Sequence, residues 1–207
     1  MCGYILEQCI TTHLGEKVKQ AKLLTQAEQK RVNALIDAYR YSARNHAMFA
    51  LSFYAGLRAC EIAALKLSDV FGADGHVRDT VFLTAAQTKG DEANTVLVSK
   101  RLAKALAAYA SAYPRHAAKC DAPLFFSAKR GGFSAQTIVN LFARFYDLAG
   151  IKGASSHSGR RQFLKELADK GVNARVIQAL ARHKHLNTTM RYIDLNENKL
   201  QNAIELQ

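Results

Sequence analysis

Residues 155–192 read SSHSGRRQFLKELADKGVNARVIQALARHKHLNTTMRY, and the rest of the chain is best understood from them outward. The stretch opens on a histidine and two arginines, carries His183 in its second half, and closes on Tyr192. Eight Lys/Arg (160, 161, 165, 170, 175, 182, 184 and 191) face only Glu166 and Asp169, a net +6 and half of the chain's +12. A basic segment with a phenol at its end suits a site that handles phosphate, and one that attacks it. The pattern predicts a helix from near His157 to Lys170, capped by Ser155 or Ser156 and stopped by Gly171, with Phe163, Leu164, Leu167 and Ala168 inward. Asn173 caps a second helix through Val176, Ile177 and Leu180 that ends before His183, and Asn187 caps a short turn from Thr188 to Tyr192. His157 and Arg160 are neighbours at a helix N-terminus, whose dipole is already positive, so the pair is disfavoured until an anion arrives.

Upstream, Thr25-Gln-Ala-Glu28 is a capping box, and Val32, Leu35, Ile36 and Tyr39 behind it predict an amphipathic helix over 25–42. A more apolar helix follows over 45–55 and stops at Gly56. The next short helix holds Arg58, Glu61, Ile62 and Leu65. Arg58 is either paired structurally with Glu61 or offers its fork to an anion, and both can hold at once. From 77 to 98 the period becomes that of strands: 76–84 and 93–98 form a small antiparallel sheet with Thr88-Lys89-Gly90-Asp91 as its turn. Lys89 is then either a solvated hairpin residue or a reach into a nucleic-acid groove. Ser99 caps a helix that stops at Pro114, residues 115–133 form an irregular connection, and Ser134 caps a helix ended by Gly150. The fold class is mainly α with a small antiparallel β-sheet (α+β), one domain preceded by residues 1–24 as an extension or linker.

Composition narrows the partners. A 207-residue chain with 49% hydrophobic residues and two prolines can bury a real core. Its pI near 9.7 favours a polyanion, nucleic acid first and an anionic membrane face second. Cysteines at 2, 9, 60 and 120 show neither CxxC nor zinc-ligand spacing, which suits reduced cytosolic thiols; no metal site is expected. Residues 1–13 carry Glu7 inside their only apolar patch, and no run reaches the roughly 18 apolar residues of a membrane span, so a soluble, cytoplasmic protein is expected.

Gly56-Leu-Arg58-Ala-Cys-Glu61-Ile, Thr88-Lys89-Gly90, His157-Ser-Gly-Arg160, and His183 followed nine positions later by Tyr192 together resemble the tyrosine recombinase (phage integrase) family, over about residues 25–195. The resemblance implies that family's catalytic-domain fold and a site-specific recombinase that cuts and rejoins DNA through a covalent 3′-phosphotyrosine, for integration, excision or inversion. It implies Tyr192 as nucleophile, Arg58 and Arg160 on the non-bridging oxygens, Lys89 as general acid, His157 as proton-transfer partner, His183 as hydrogen-bond donor and Glu61 as support for Arg58 or His157. Arg161, Lys165, Arg175, Lys184 and Arg191 are read as solvated or as contacts to flanking phosphates. A free phenol titrates near pH 10, so cations around Tyr192 make chemical sense, and the link conserves bond energy without a cofactor. The resemblance also implies double-stranded DNA at a specific site as partner, a homo-tetramer on DNA and a monomer when free, with residues 196–207 docking in trans or folding back in cis. A catalytically silent DNA-binding protein and a type IB topoisomerase are the alternatives. Two departures stand out. The family's usual glycine before the second histidine is Arg182 here, and residues 1–24 are too short for the N-terminal DNA-binding domain that members usually carry.

Overall fold

The computed structural model describes residues 20–88, 92–128 and 131–193, together with 201, 204 and 205. Helix α1 (Gln26–Asp37) starts at the expected capping box: Glu28 N–H donates to Thr25 Oγ1 (3.2 Å) and Thr25 N–H to Glu28 Oε2 (2.9 Å). It ends short of residue 42, because Tyr41 turns the chain through the left-handed region (φ 66°), its ring under the guanidinium groups of Arg40 and Arg44. Helix α2 (Ser42–Ala55) therefore begins earlier than the expected 45 and is the centre of the molecule, packing on the later helices Lys100–Ala112 and Ser158–Asp169. Its run of buried residues from Ala47 to Ser52 leaves it no solvent face over that length, as befits a central helix. Gly56 ends it at φ 62°.

Two short helices, α3 (Ala59–Ala64) and α4 (Leu67–Val70), lead to strands β1 (Thr80–Leu83) and β2 (Asn94–Leu97). These pair antiparallel, Thr80 opposite Leu97 and Leu83 opposite Asn94, with Val81, Leu83 and Val96 inward. Helix α5 (Lys100–Ala112) is capped by Ser99, and Pro114 both stops it and opens the single-turn α6 (Pro114–Ala117), where its missing N–H has no helical partner to lose. The connection that follows belongs to the same core. Leu124 and Phe125 are buried, Leu124 N–H bonds the Leu65 carbonyl (2.7 Å), and Tyr109 Oη and Arg44 Nη1 donate to the carbonyls of Leu124 (2.6 Å) and Phe126 (2.9 Å). Helix α7 (Ala135–Leu148), capped by Ser134, stacks Phe142 on Phe49 with ring centroids 4.1 Å apart.

The segment that anchors the sequence reading becomes α8 (Ser158–Asp169), α9 (Ala174–Ala181) and α10 (Leu186–Met190). Asn173 caps α9 as expected, accepting from Arg175 N–H at 2.8 Å. The other two caps differ. His157, not a serine, is the N-cap of α8, with Ser155 Oγ accepting from the His157 N–H (3.2 Å); His185 is the N-cap of α10, so Asn187 lies inside that helix. Gly159 lets α8 lie against α2: a Cβ there would meet Ser52 Oγ and stand 2.7 Å from Phe53 Cδ2. Leu164, Ala168, Ile177 and Ala181 form a small hydrophobic cluster, with Phe163, Leu167, Val172, Tyr192 and Ile193 around it, separate from the main core. Packing begins slightly before Thr25, since Leu24 is buried and Lys22 N–H bonds the Gly153 carbonyl (2.9 Å). The expected tail 196–207 lies outside the described residues except for Gln201, Ile204 and Glu205.

Candidate active site

Residues far apart in sequence meet where α2 ends. Arg58 is the residue before α3, and Glu61, one turn into that helix, accepts from both its backbone N–H (2.9 Å) and its Nη1 (2.6 Å). The carboxylate is 1% exposed and the guanidinium 24% exposed, so Arg58 is paired with Glu61 and still keeps a solvent-facing side. Arg160, in the first turn of α8, reaches across to donate Nη1 to the Gly56 carbonyl (2.5 Å) and Nη2 to the Ala181 carbonyl at the end of α9. Arg182, the next residue, donates Nη2 to Glu61 Oε2 (3.0 Å). Two guanidinium groups thus pair with one carboxylate, and a third, Arg160, lies near enough to feel its charge.

The electrostatics follow from that imbalance. Burial works to raise the Glu61 pKa, but Arg182 and Arg58 outweigh it and hold the carboxyl below its ordinary value. Burial first, then Arg58 and Arg182 as like charges, push Arg160 down to about 9 against the opposing pull of Glu61 and Tyr192. His183 lies just past α9, its Nδ1 2.9 Å from Thr189 Oγ1. Burial first, then Arg160, Arg58 and Arg182, lower it to about 4, so the ring is neutral near pH 7. When the Thr189 hydroxyl donates to Nδ1, the proton sits on Nε2, which makes that nitrogen a hydrogen-bond donor. The Tyr192 ring stacks on His183 at 6.1 Å and 20°, two residues beyond α10, and the phenol lies close enough to Arg160 to interact with its charge.

The remaining sequence-predicted residues spread around this centre. His157 is exposed at the start of α8. Arg161 donates to the Ala21 carbonyl, Lys165 pairs with Asp169 (2.6 Å), Arg175 Nη1 reaches Gln178 (3.3 Å), and Arg191 is exposed. Lys184 stands 3.6 Å from Glu92, both of them solvated. Lys89 lies outside the described residues. Thr88, just before it, is described: its Oγ1 donates to the Glu92 carbonyl (2.8 Å), and the Glu92 carboxylate stands near Lys184. Thr189, fully buried against His183, was missed as a functional residue; its place six residues after the histidine, with the hydroxyl turned inward, was the available signal. A groove of about 800 Å³ lined by Val32, Phe49, Phe53, Tyr54 and Lys104 contains none of these groups.

Residues 23–199 match the model of the phage integrase family. The chain belongs to the phage integrase family. Among curated relatives, tyrosine recombinase XerC of Rhodospirillum centenum is 31% identical over 173 residues, covering 83% of this chain and 48% of that protein. Tyrosine recombinase XerA of Pyrococcus horikoshii is 27% identical over 202 residues, covering 92% and 65%. The chain therefore spans about half to two-thirds of the length of these phage integrase relatives. The fold is also that of solved structures: XerA recombinase (TM-score 0.67, 24% identity, 89% of this chain and 64% of that one) and XerH site-specific recombinase bound to difH substrate (TM-score 0.69, 20% identity, 96% and 58%). The α+β class and catalytic-domain fold expected from the sequence are borne out.

Proposed function

We propose that this phage integrase chain acts as a site-specific DNA recombinase, cutting and rejoining strands through a 3′-phosphotyrosine. The observation that carries the reading is the convergence of Arg58, Arg160 and His183 on one anion-seeking site, with the Tyr192 ring stacked on the histidine. The Tyr192 phenol oxygen attacks the scissile phosphorus as its proton leaves, with exposed His157 as proton acceptor. Charge builds on the non-bridging oxygens, where the forks of Arg58 and Arg160 and the neutral His183 Nε2–H stabilise it. The bond to the 5′-oxygen breaks as Lys89 protonates that oxygen, leaving a 5′-hydroxyl. A 5′-hydroxyl from another strand then reverses each step, so bond energy is conserved and no cofactor takes part.

Double-stranded DNA is the partner, at one specific site, within a mobile element that integrates, excises or inverts. Arg175, Lys184 and Arg191, all exposed, and Arg161 and Lys165, partly exposed, offer contacts to flanking phosphates, so affinity falls steeply with salt. Joining two duplexes at two sites each calls for a tetramer on DNA built from free monomers. No helix among the described residues is long and apolar enough to cross a membrane; a cytoplasmic location is proposed because the substrate is cellular DNA. The test is incubation with a nicked suicide duplex built from DNA flanking the protein's own gene, followed by a denaturing gel. The expected result is a covalent adduct with wild type and none with Tyr192→Phe, at equal duplex affinity. Binding without an adduct in wild type would favour the silent DNA-binding alternative; relaxation of supercoiled DNA lacking the site would favour a topoisomerase.

A further inference from the structure

Arg182 is the residue in the site that the reaction scheme does not use, and its backbone makes it conspicuous. It caps α9 at φ 56° and ψ 47°, the left-handed conformation that glycine adopts freely and that costs a side-chain-bearing residue about 1 kcal/mol. Contacts must offset that cost, and the side chain supplies them. It is 3% exposed and pairs with Glu61 Oε2 at 3.0 Å, while the other oxygen of Glu61 holds Arg58 at 2.6 Å. Its Nη1 donates to the carbonyls of Ala55 (3.4 Å) and Leu180 (3.3 Å), and its Nη2 to that of Gly56 (3.3 Å). The Gly56 oxygen is the same atom that receives Arg160. His183, the next residue, has its N–H on the Gln178 carbonyl of the helix that Arg182 terminates.

With Nη1 and Nη2 committed to carbonyls and Glu61, and its one unpartnered nitrogen, Nε, buried, Arg182 has little left to offer a phosphate. Its contacts instead join the α2–α3 corner, which carries Arg58, to the end of α9, which carries His183. We infer that Arg182 is a positioning residue for strand cleavage, locking Arg58, Arg160 and His183 into register through Glu61 and the Gly56 carbonyl. The inference rests on the recombinase reading proposed above. It explains what a charged side chain does at a left-handed position: it replaces backbone ease with a polar clasp between two halves of the site.

The test uses the full chain and the same nicked duplex, with single-turnover adduct rates measured across DNA concentration for wild type, Arg182→Gly and Arg182→Lys. Glycine accepts φ 56° without strain, so Arg182→Gly is expected to fold. It should bind the duplex within about twofold of wild type while its maximal adduct rate falls at least tenfold, a split between binding and chemistry that follows from lost register. Arg182→Lys restores the charge beside Glu61 but not the fork, and its maximal rate should lie between the other two. Should Arg182→Gly fail to fold, Arg182→Lys carries the test, and a wild-type rate there overturns the inference. A wild-type maximal rate in Arg182→Gly also overturns it, as does lost affinity with an unchanged maximal rate, which would make Arg182 a phosphate ligand. Absence of an adduct in wild type overturns the recombinase reading itself and takes this inference with it, whereas the other outcomes leave that reading standing.

Discussion

Replacing Glu61 by glutamine removes the one negative charge paired with Arg58 and Arg182 and changes almost nothing in shape. Arg58, one quarter exposed, can turn its charge toward solvent; Arg182, 3% exposed, cannot. Breaking a buried pair by removing one partner costs about 3–5 kcal/mol. The amide oxygen of glutamine still accepts one hydrogen bond and Arg58 has its escape, so the lower end, about 3 kcal/mol, applies. For a domain of this size each kcal/mol moves Tm by about 2–4 °C, so the variant should melt about 6–12 °C below wild type at pH 7. The pH dependence carries a second signature. The folded-state pKa of Glu61 is depressed, so its stabilisation is fully present above the unfolded value near 4.5 and is lost as pH falls through the lower folded value. The gap in Tm between wild type and Glu61→Gln should therefore close below pH 4.5. The assay is thermal melting followed by circular dichroism from pH 3 to 8. A drop under about 2 °C at pH 7, or a gap that does not narrow in acid, would refute the role of Glu61 as common counter-ion.

Further outcomes follow from the same geometry. Gly159→Ala places a methyl group against Ser52 and Phe53, so overpacking of α8 on α2 should cost about 2 kcal/mol, read as a lowered urea midpoint with unchanged m-value. His183, lowered to about 4, should titrate by NMR in the free protein well below the usual imidazole value of 6.5. Because the unfolded chain binds that proton more readily between those two values, His183 should make the fold lose stability as pH falls through that window. Lys89→Ala should slow adduct formation on an ordinary duplex yet be rescued by a 5′-bridging sulfur, since a thiolate leaves without protonation; equal slowing on both substrates would remove Lys89 as general acid.

The sequence was most informative where one residue type does one local job. Thr25 with Glu28, Ser99, Ser134, Asn173, and the stop at Gly56 each announce a helix end through a side chain or a missing Cβ, and each holds in the structure. The polar residues of the site were legible through their neighbours in sequence, and the geometry now brings Arg58, Glu61, Arg160, His183 and Tyr192 together. What escaped depends on tertiary contact. The left-handed turn at Tyr41, whose ring lies under two arginines, separates α1 from α2, and the four-residue helices α4 and α6 are too short to show a period. Asn187 looked like a cap, yet α10 starts from His185. Arg182 was unreadable because its partners lie some 120 residues away.

The small cluster of Leu164, Ala168, Ile177 and Ala181 has a consequence for how the molecule comes apart. Apart from the close approach of Gly159 and Phe163 to α2, the ties described between α9 and the main core are guanidinium groups reaching carbonyls and Glu61. Such a seam responds to charge in a way that an oily interface does not. Acid that protonates Glu61 should loosen the seam while both hydrophobic units stay folded, and amide exchange should accelerate first over residues 172–193. Tyr192, the proposed nucleophile, would then sit on the part of the protein that opens most cheaply, tied to a stable body largely by guanidinium contacts.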